Sequence, residues 1–195
     1  MKKLLLAIVA VVLFSSVYAQ TEITVGPKLG WNITNVSNIS SSKNKMSINV
    51  GGFAEFKFNE YFALQPELLY SRQGYRLKSD EGKTKVRVNY LNIPVLAKLF
   101  VLDGLSVDLG PQLGFALNSK SKTKHDGTTV KHKITNVNTC EVSFAVGLSY
   151  NFEQLMVSAR YNIGLSNVWD KDAMGGNNKN HVFQLSVGYR FGDLF

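Results

Sequence analysis

Alternation of apolar and polar residues is the strongest pattern in the chain, and it recurs in one segment after another. Three segments, at residues 142–152, 155–165 and 183–191, carry an apolar residue at almost every second position. The positions between are mainly Gly, Ser and Asn, with single charged residues. A period of two residues predicts β-strands that have one apolar and one polar face.

Earlier parts of the chain repeat this pattern with more irregularity, which brings the total to eight strands. The predicted strands cover residues 23–35, 47–58, 62–77, 86–100, 105–118, 141–152, 155–166 and 183–191. In the fourth, Val86, Val88 and Tyr90 are out of phase with Leu91 and the apolar residues that follow it. We expect a β-bulge or the membrane boundary near Tyr90 to account for this change.

The connections between the strands alternate in length. Short connections lie at residues 59–61, 101–104 and 153–154, and longer polar ones at 36–46, 78–85, 119–138 and 169–180. Short turns at one rim and long loops at the other are typical of membrane barrels with an even number of strands. The sequence therefore predicts an all-β protein, an eight-stranded antiparallel up-and-down transmembrane β-barrel.

The chemistry of the two faces indicates which one points inward. A soluble barrel of the lipocalin type has apolar residues inside and polar ones outside, but the polar faces here are Gly-, Ser- and Ala-rich with isolated charges. Aromatic residues also gather near both rims, as they do at the two interfaces of a membrane. We expect the apolar face to contact lipid, and we keep the soluble lipocalin-like binding barrel as the alternative.

The N-terminus predicts export. Lys2 and Lys3 precede an apolar run at residues 4–14 and a cleavage position after Ala19, an arrangement typical of a secretory signal peptide. We expect residues 1–19 to be removed, which lowers the formal charge from +8 to +6, and residues 20–195 to form one outer-membrane barrel domain. Because the N-terminus then starts in the periplasm, the short turns should be periplasmic and the long loops extracellular.

Few residues suggest catalysis or cofactor binding. Cys140 is the only cysteine, which excludes an internal disulfide. His125 and His132 lie in the longest loop and His181 opens the last strand, without the partners that a catalytic triad or a metal site needs. We therefore expect no enzymatic activity, no cofactor, no metal and no nucleic-acid partner.

Three motifs resemble the outer-membrane β-barrel domain family common in Bacteroidota, which includes the PorT-like proteins. They are Gly-Pro-Lys-Leu-Gly-Trp-Asn at 26–32, Leu-Gln-Pro-Glu-Leu-Leu-Tyr at 64–70 and Tyr-Leu-Asn-Ile-Pro-Val-Leu-Ala-Lys at 90–98. The resemblance covers the chain from residue 20 onward and implies a small outer-membrane barrel. PorT-like members act in protein secretion, a role that the resemblance does not assign to this chain.

Nine charged residues fall on inward-facing positions of the predicted strands. They are Lys28, Glu55, Lys57, Glu67, Lys98, Asp108, Glu141, Arg160 and Arg190. Because an unpaired buried charge is costly, we expect these side chains to pair across strands or to hold ordered water. Glu67 and Lys98, on neighbouring strands, are the predicted pair. The network would plug the lumen; the alternative is a charge gate whose re-pairing opens a narrow path.

The longest loop, residues 119–138, is strongly basic. Its lysines are Lys120, Lys122, Lys124, Lys131 and Lys133, against the single acid Asp126. Such a segment should attract phosphate-bearing lipopolysaccharide or anionic glycans, with binding weakened by salt. A solvated loop without a partner is the alternative.

The aromatic residues Tyr189, Phe191 and Phe195 are similar to the C-terminal signal that barrel assembly machinery recognises during biogenesis. We expect a monomer in outer-membrane lipid with a structural or surface-interaction role. A narrow channel or small-solute carrier is the alternative function. A wide pore is excluded if the strand count is right, because eight strands enclose little more than their own side chains.

Overall fold

The computed structural model describes residues 21–36, 42–43, 45–74, 76–79, 82–125, 128–133, 139–167 and 179–192. This part of the chain forms eleven β-strands. They are β1 (Glu22–Val36), β2 (Ser42–Lys43), β3 (Lys45–Lys57), β4 (Phe62–Gln73), β5 (Arg76–Ser79), β6 (Gly82–Leu102), β7 (Leu105–His125), β8 (Thr128–Lys133), β9 (Cys140–Phe152), β10 (Leu155–Asn167) and β11 (Lys179–Tyr189). The predicted signal peptide and Phe195 lie outside the described residues. A helix long and apolar enough to cross a membrane is absent from the residues that are described.

Eight strands close into an antiparallel barrel. Their hydrogen-bonded order is β6-β4-β3-β1-β11-β10-β9-β7, and β7 pairs with β6 to complete the circle. The first and last strands, β1 and β11, pair from Lys28↔Gly188 to Val36↔Asn180. The predicted eight-stranded antiparallel fold is confirmed. The shorter strands β2, β5 and β8 extend the sheet at one rim.

Side chains alternate between a polar interior and an apolar exterior. In β11, Gln184 and Ser186 are 4% and 2% exposed, whereas Phe183 and Leu185 are 38% and 44% exposed. The same alternation runs around the barrel, so the outer surface carries a continuous belt of apolar residues. A belt of that size is unfavourable in water and favourable against lipid. The arrangement is the inverse of a soluble lipocalin-like barrel.

The rim with the tight turns is here called the short-turn rim. Between β3 and β4, the Asn59 side-chain oxygen accepts hydrogen bonds from the backbone nitrogens of Tyr61 and Phe62, at 2.9 and 2.8 Å. Between β6 and β7 the turn contains Gly104 with a φ of 74°, which glycine adopts without strain. The opposite rim, where β2, β5 and β8 lie, is the long-loop rim.

All four predicted long loops contain strand residues, which in 169–180 are Lys179 and Asn180 of β11, so the connections between strands are shorter than predicted. The segment 36–46 includes β2, and 78–85 includes the end of β5 and the start of β6. The segment 119–138 includes the end of β7 and all of β8. The third predicted strand is divided at Gly74, whose φ is 128°, into β4 and β5. Backbone hydrogen bonding between the strands continues beyond the apolar belt. The residues of these extensions are mainly polar because they lie outside that belt.

The apolar residues Val88 and Tyr90 are out of phase with Leu91 because they face the lumen, whereas Leu91 faces outward. Val88, Tyr90 and Asn92 in β6 are 3%, 1% and 4% exposed, so this strand keeps one alternation and all three face the lumen. The register with β7 shifts between Asn89↔Asn118 and Tyr90↔Ala116. The intervening Leu117 is therefore an extra residue in β7, which is a β-bulge. The expected bulge near Tyr90 is therefore absent from β6; the one in β7 lies at the same level but does not cause the change of phase in β6.

Candidate functional site

The middle of the lumen holds three buried charged side chains from three strands. Glu67 on β4 accepts a hydrogen bond from Lys28 Nζ on β1 at 2.9 Å. It also accepts two from the Arg160 guanidinium on β10, at 2.8 Å to Oε1 and 3.0 Å to Oε2. Strands β3, β1 and β11 separate β4 from β10 on one side, and β6, β7 and β9 on the other. The Glu67–Arg160 pair therefore joins opposite walls and crosses the lumen.

A second cluster lies nearer the short-turn rim. Lys98 Nζ on β6 is 2.5 Å from Glu55 Oε2 on β3 and donates to Gln65 Oε1 at 3.0 Å. Gln65 in turn donates from Nε2 to Glu67 Oε1 at 2.7 Å. One amide side chain thus links the two charged clusters into a continuous hydrogen-bonded network.

The predicted ion pair between Glu67 and Lys98 is wrong. The register of β4 with β6 places Lys98 opposite Ala63, four residues from Glu67 along the strand. That offset corresponds to roughly 13 Å, and Gln65 occupies the space between. Glu67 pairs instead with Lys28 and Arg160.

Asp108 and Glu141 are buried without taking part in these two clusters. Asp108 accepts hydrogen bonds from the hydroxyls of Ser106 and Ser149, at 2.7 and 3.1 Å. Glu141, close to the long-loop rim, accepts one from Asn180 Nδ2 at 3.2 Å. Neutral side chains therefore supply hydrogen-bond donors to both carboxyl groups.

Lys57 and Arg190 lie at the short-turn rim, where the lumen opens. Their side chains are 33% and 18% exposed; Lys57 Nζ is 3.9 Å from Glu22, and Arg190 is 3.3 Å from Glu55. All four residues line a cavity of about 810 Å³ at this rim. Solvent therefore enters the barrel from this side as far as the Glu55 cluster.

Lys45 and several amide side chains line the interior in addition to the predicted charges. Lys45 is 5% exposed and donates to the Gln73 carbonyl oxygen at 2.8 Å. It precedes residue 47, the predicted start of the second strand, and therefore falls in the predicted loop 36–46. Asn49 donates to Asn32 Oδ1 at 2.7 Å, and Asn32 donates to Ser71 Oγ at 2.8 Å. These amides occupy polar positions of the alternating segments, and that alternation is the sequence signal that places them in the lumen.

The five lysines of the predicted basic loop lie in strands. Lys120, Lys122 and Lys124 belong to β7, and Lys131 and Lys133 belong to β8. The backbone register places Lys120 opposite Lys133 and Lys122 opposite Lys131. The lysines are therefore arranged on a regular hairpin at the long-loop rim.

The C-terminal aromatic residues lie on the outer surface at the short-turn rim. Tyr189 and Phe191 are exposed, and their rings are 5.2 Å apart with an edge-to-face orientation. The Phe191 nitrogen donates to the Val25 carbonyl oxygen at 2.9 Å, which extends the contact between the first and last strands of the barrel.

Three solved bacterial proteins have a similar fold. Ail, the attachment invasion locus protein of Yersinia pestis, is 16% identical with a TM-score of 0.52, over 87% of this chain and 99% of Ail. Neisserial surface protein A is 11% identical with a TM-score of 0.50, over 87% and 97%. Acinetobacter baumannii CarO is 10% identical with a TM-score of 0.51, over 84% and 97%. At these identities the similarity shows the fold alone.

No match was found among curated proteins. A family model does match, over residues 18–170, and its description is outer membrane protein beta-barrel domain. That range covers most of the 195 residues and seven of the eight barrel strands. The chain is a small integral barrel of the outer membrane and belongs to the outer membrane protein beta-barrel domain family.

Proposed function

We propose that this protein is a non-conducting barrel that anchors an ordered β-sheet at the cell surface. The observation that carries this proposal is the Glu67–Arg160 pair, which crosses the lumen between opposite walls with both side chains at most 1% exposed. Lys28, Gln65 and Lys98 extend the obstruction along the barrel axis. A solute moving through the lumen would have to break several buried charge-assisted hydrogen bonds at once.

The long-loop rim faces the outside of the cell in this proposal. Its supports are the predicted signal peptide at residues 1–19, which would deliver the N-terminus to the periplasm, and the tight turns at the other rim. Membrane barrels of bacteria carry short turns on the periplasmic side and longer segments outside. The sheet extension formed with β2, β5 and β8 is then exposed at the cell surface.

The role is one of structure and surface interaction, without catalysis. His181 stacks on Tyr161, with ring centroids 6.0 Å apart, and so has a packing role. Within the family, we assign the chain to the PorT-like members of Bacteroidota. The motifs at residues 64–70 and 90–98 support that assignment, and the second contains Lys98 of the interior network.

Planar-bilayer recordings test the closed lumen. The wild-type barrel should show no steady conductance, and Glu67→Gln, which keeps the side-chain shape, should show none either because the amide still fills the same space. The heat-dependent gel mobility of each protein confirms that it is folded. Steady wild-type openings would overturn the proposal, and a change in those openings in Glu67→Gln would indicate a gated narrow channel.

A further inference from the structure

The long-loop rim carries a five-stranded sheet that rises beyond the apolar belt. It consists of β2, β5, the first residues of β6, the last residues of β7, and β8, paired in the order β2-β5-β6-β7-β8. We call it the basic sheet. The strand residues that form it include no Asp or Glu; Asp80, Glu81 and Asp126 lie in the connections between its strands.

The backbone register places eleven basic residues of the basic sheet in three parallel rows. The lower row, nearest the barrel, is Arg87, Lys120 and Lys133. The middle row crosses all five strands and is Lys43, Arg76, Lys85, Lys122 and Lys131. The upper row is Lys78, Lys83 and Lys124. Residues directly opposite each other in an antiparallel sheet belong to the same face, so all eleven share one face.

The other face of the basic sheet has no Lys, Arg, Asp or Glu. Its positions alternate with the basic ones along each strand. They are Ser42, Leu77, Ser79, Gly82, Thr84, Val86, Val88, Ser119, Ser121, Thr123, His125, Thr128, Val130 and His132. Half of the chain's 22 basic residues are thus confined to one side of one sheet. A sheet extension that contacts only solvent would not require its basic residues to lie on a single face.

The basic face is the outer one. Val88 and Ser119, which are paired, are 3% and 8% exposed and belong to the uncharged face, on the side of the lumen. Arg87, the next residue along β6, is exposed on the opposite side. Because Leu117 is an extra residue, Lys120 in β7 lies on the same face of the sheet as Arg87 in β6. The basic face therefore continues the lipid-facing surface of the barrel rather than pointing up from its mouth.

The rows begin at the level of lipid headgroups. Leu91 and Leu117 are the last apolar residues on the outer face of β6 and β7, and Arg87 and Lys120 follow them after four and three residues. That is roughly 10–13 Å along a strand, and less along the membrane normal because barrel strands are tilted. The polar layer of a membrane is roughly 5–8 Å thick on each side of the hydrocarbon core, so the lower row lies near the outer edge of this layer.

Bound anions would stabilise an array of like charges at strand spacing. Neighbours within a row are about 5 Å apart, and like charges directly opposite each other destabilise a sheet. A dense layer of phosphate groups beside the basic face would offset that repulsion through charge-assisted hydrogen bonds to the lysines and arginines. We propose that the basic face binds the phosphate groups of lipopolysaccharide in the surrounding outer leaflet. This inference rests on the proposed surface location and names the partner.

Binding of purified lipopolysaccharide to the refolded barrel tests the proposal. The variant Lys85→Gln, Lys122→Gln, Lys131→Gln removes three neighbours of the middle row. We expect binding about 100-fold weaker, since each basic group near an anionic surface contributes about fivefold. Wild-type binding should also fall as NaCl is raised from 50 to 300 mM, and when the lipopolysaccharide is dephosphorylated.

A transposed variant separates the face from the net charge. Each of three lysines exchanges places with the residue before it: Thr84→Lys with Lys85→Thr, Ser121→Lys with Lys122→Ser, and Val130→Lys with Lys131→Val. Composition is unchanged, but three charges move to the inner face, so binding should fall as in the Gln variant. Binding equal to wild type would show that net charge alone attracts the ligand and would overturn the proposal.

Soluble heparin provides the second arm of the experiment. If the Gln variant loses heparin binding but binds lipopolysaccharide like wild type, the ligand is a soluble glycan and the proposal is wrong. Heat-dependent gel mobility confirms folding of each variant. Lumen conductance is measured separately, so failure of the closed-barrel proposal and failure of lipopolysaccharide binding are distinguishable.

Discussion

Glu67→Ala should destabilise the folded barrel by about 3–5 kcal/mol. The substitution leaves Lys28 and Arg160 buried without their shared carboxylate, and it also removes the acceptor of the Gln65 amide. Urea unfolding of the bilayer-refolded protein, followed by tryptophan fluorescence, measures the loss.

Two comparisons give this prediction its control. Glu22→Ala removes an exposed carboxylate whose oxygen is 3.9 Å from Lys57 Nζ, and it should cost less than about 1 kcal/mol. The triple variant Glu67→Leu, Lys28→Met, Arg160→Met replaces the cluster by apolar groups of similar size and should recover most of the stability. Equal losses in Glu67→Ala and Glu22→Ala would contradict the central role of Glu67.

Gly26→Ala should prevent proper closure of the barrel, with a cost at the upper end of overpacking, about 3 kcal/mol. A Cβ at this position would lie 1.7 Å from the Tyr189 carbonyl oxygen, an atom of the backbone on the last strand. Strands β1 and β11, the first and last strands of the barrel, must therefore move apart at this position. The fraction that migrates as the compact species on unheated gels should fall after refolding.

Gly192→Ala is the matched control for this substitution. The same methyl group there meets no atom within 4 Å, so the folded fraction should equal that of the wild type. Gly52→Ala, where the nearest atom is the Gly26 carbonyl oxygen at 3.3 Å, should fall between the two. If the folded fraction of Gly26→Ala matches that of Gly192→Ala, strands β1 and β11 can move apart without loss of stability, and the prediction is wrong.

The sequence predicted the eight barrel strands because each has a lipid-facing apolar residue at nearly every second position. It did not predict the partners of Glu67. Two neighbouring inward residues pair only if they lie at the same depth, and that depth depends on the stagger between strands, which alternation does not contain. Arg160 is still harder to find, since β10 is on the opposite wall and the width of the lumen decides whether the side chains meet.

The strands of the basic sheet were missed for a different reason. Residues 83–87 and 120–124 alternate with a period of two, but the repeated residue is Lys or Arg instead of an apolar one. A search for apolar alternation classifies such a segment as a loop. A period of two in charge, flanking a turn, is a strand signal wherever the sheet continues beyond the membrane.

The bulge at Leu117 makes the length of β7 adjustable at one position. Within a membrane strand, loss of one residue normally turns every following side chain to the other face. Here the lost residue would be the one that has no partner in β6, since Ala116 and Asn118 already pair with consecutive residues. Deletion of Leu117 should leave Asp108 facing the lumen and Lys120 facing outward. Relatives that differ in length by one residue at this point can therefore keep the same inside and the same outside.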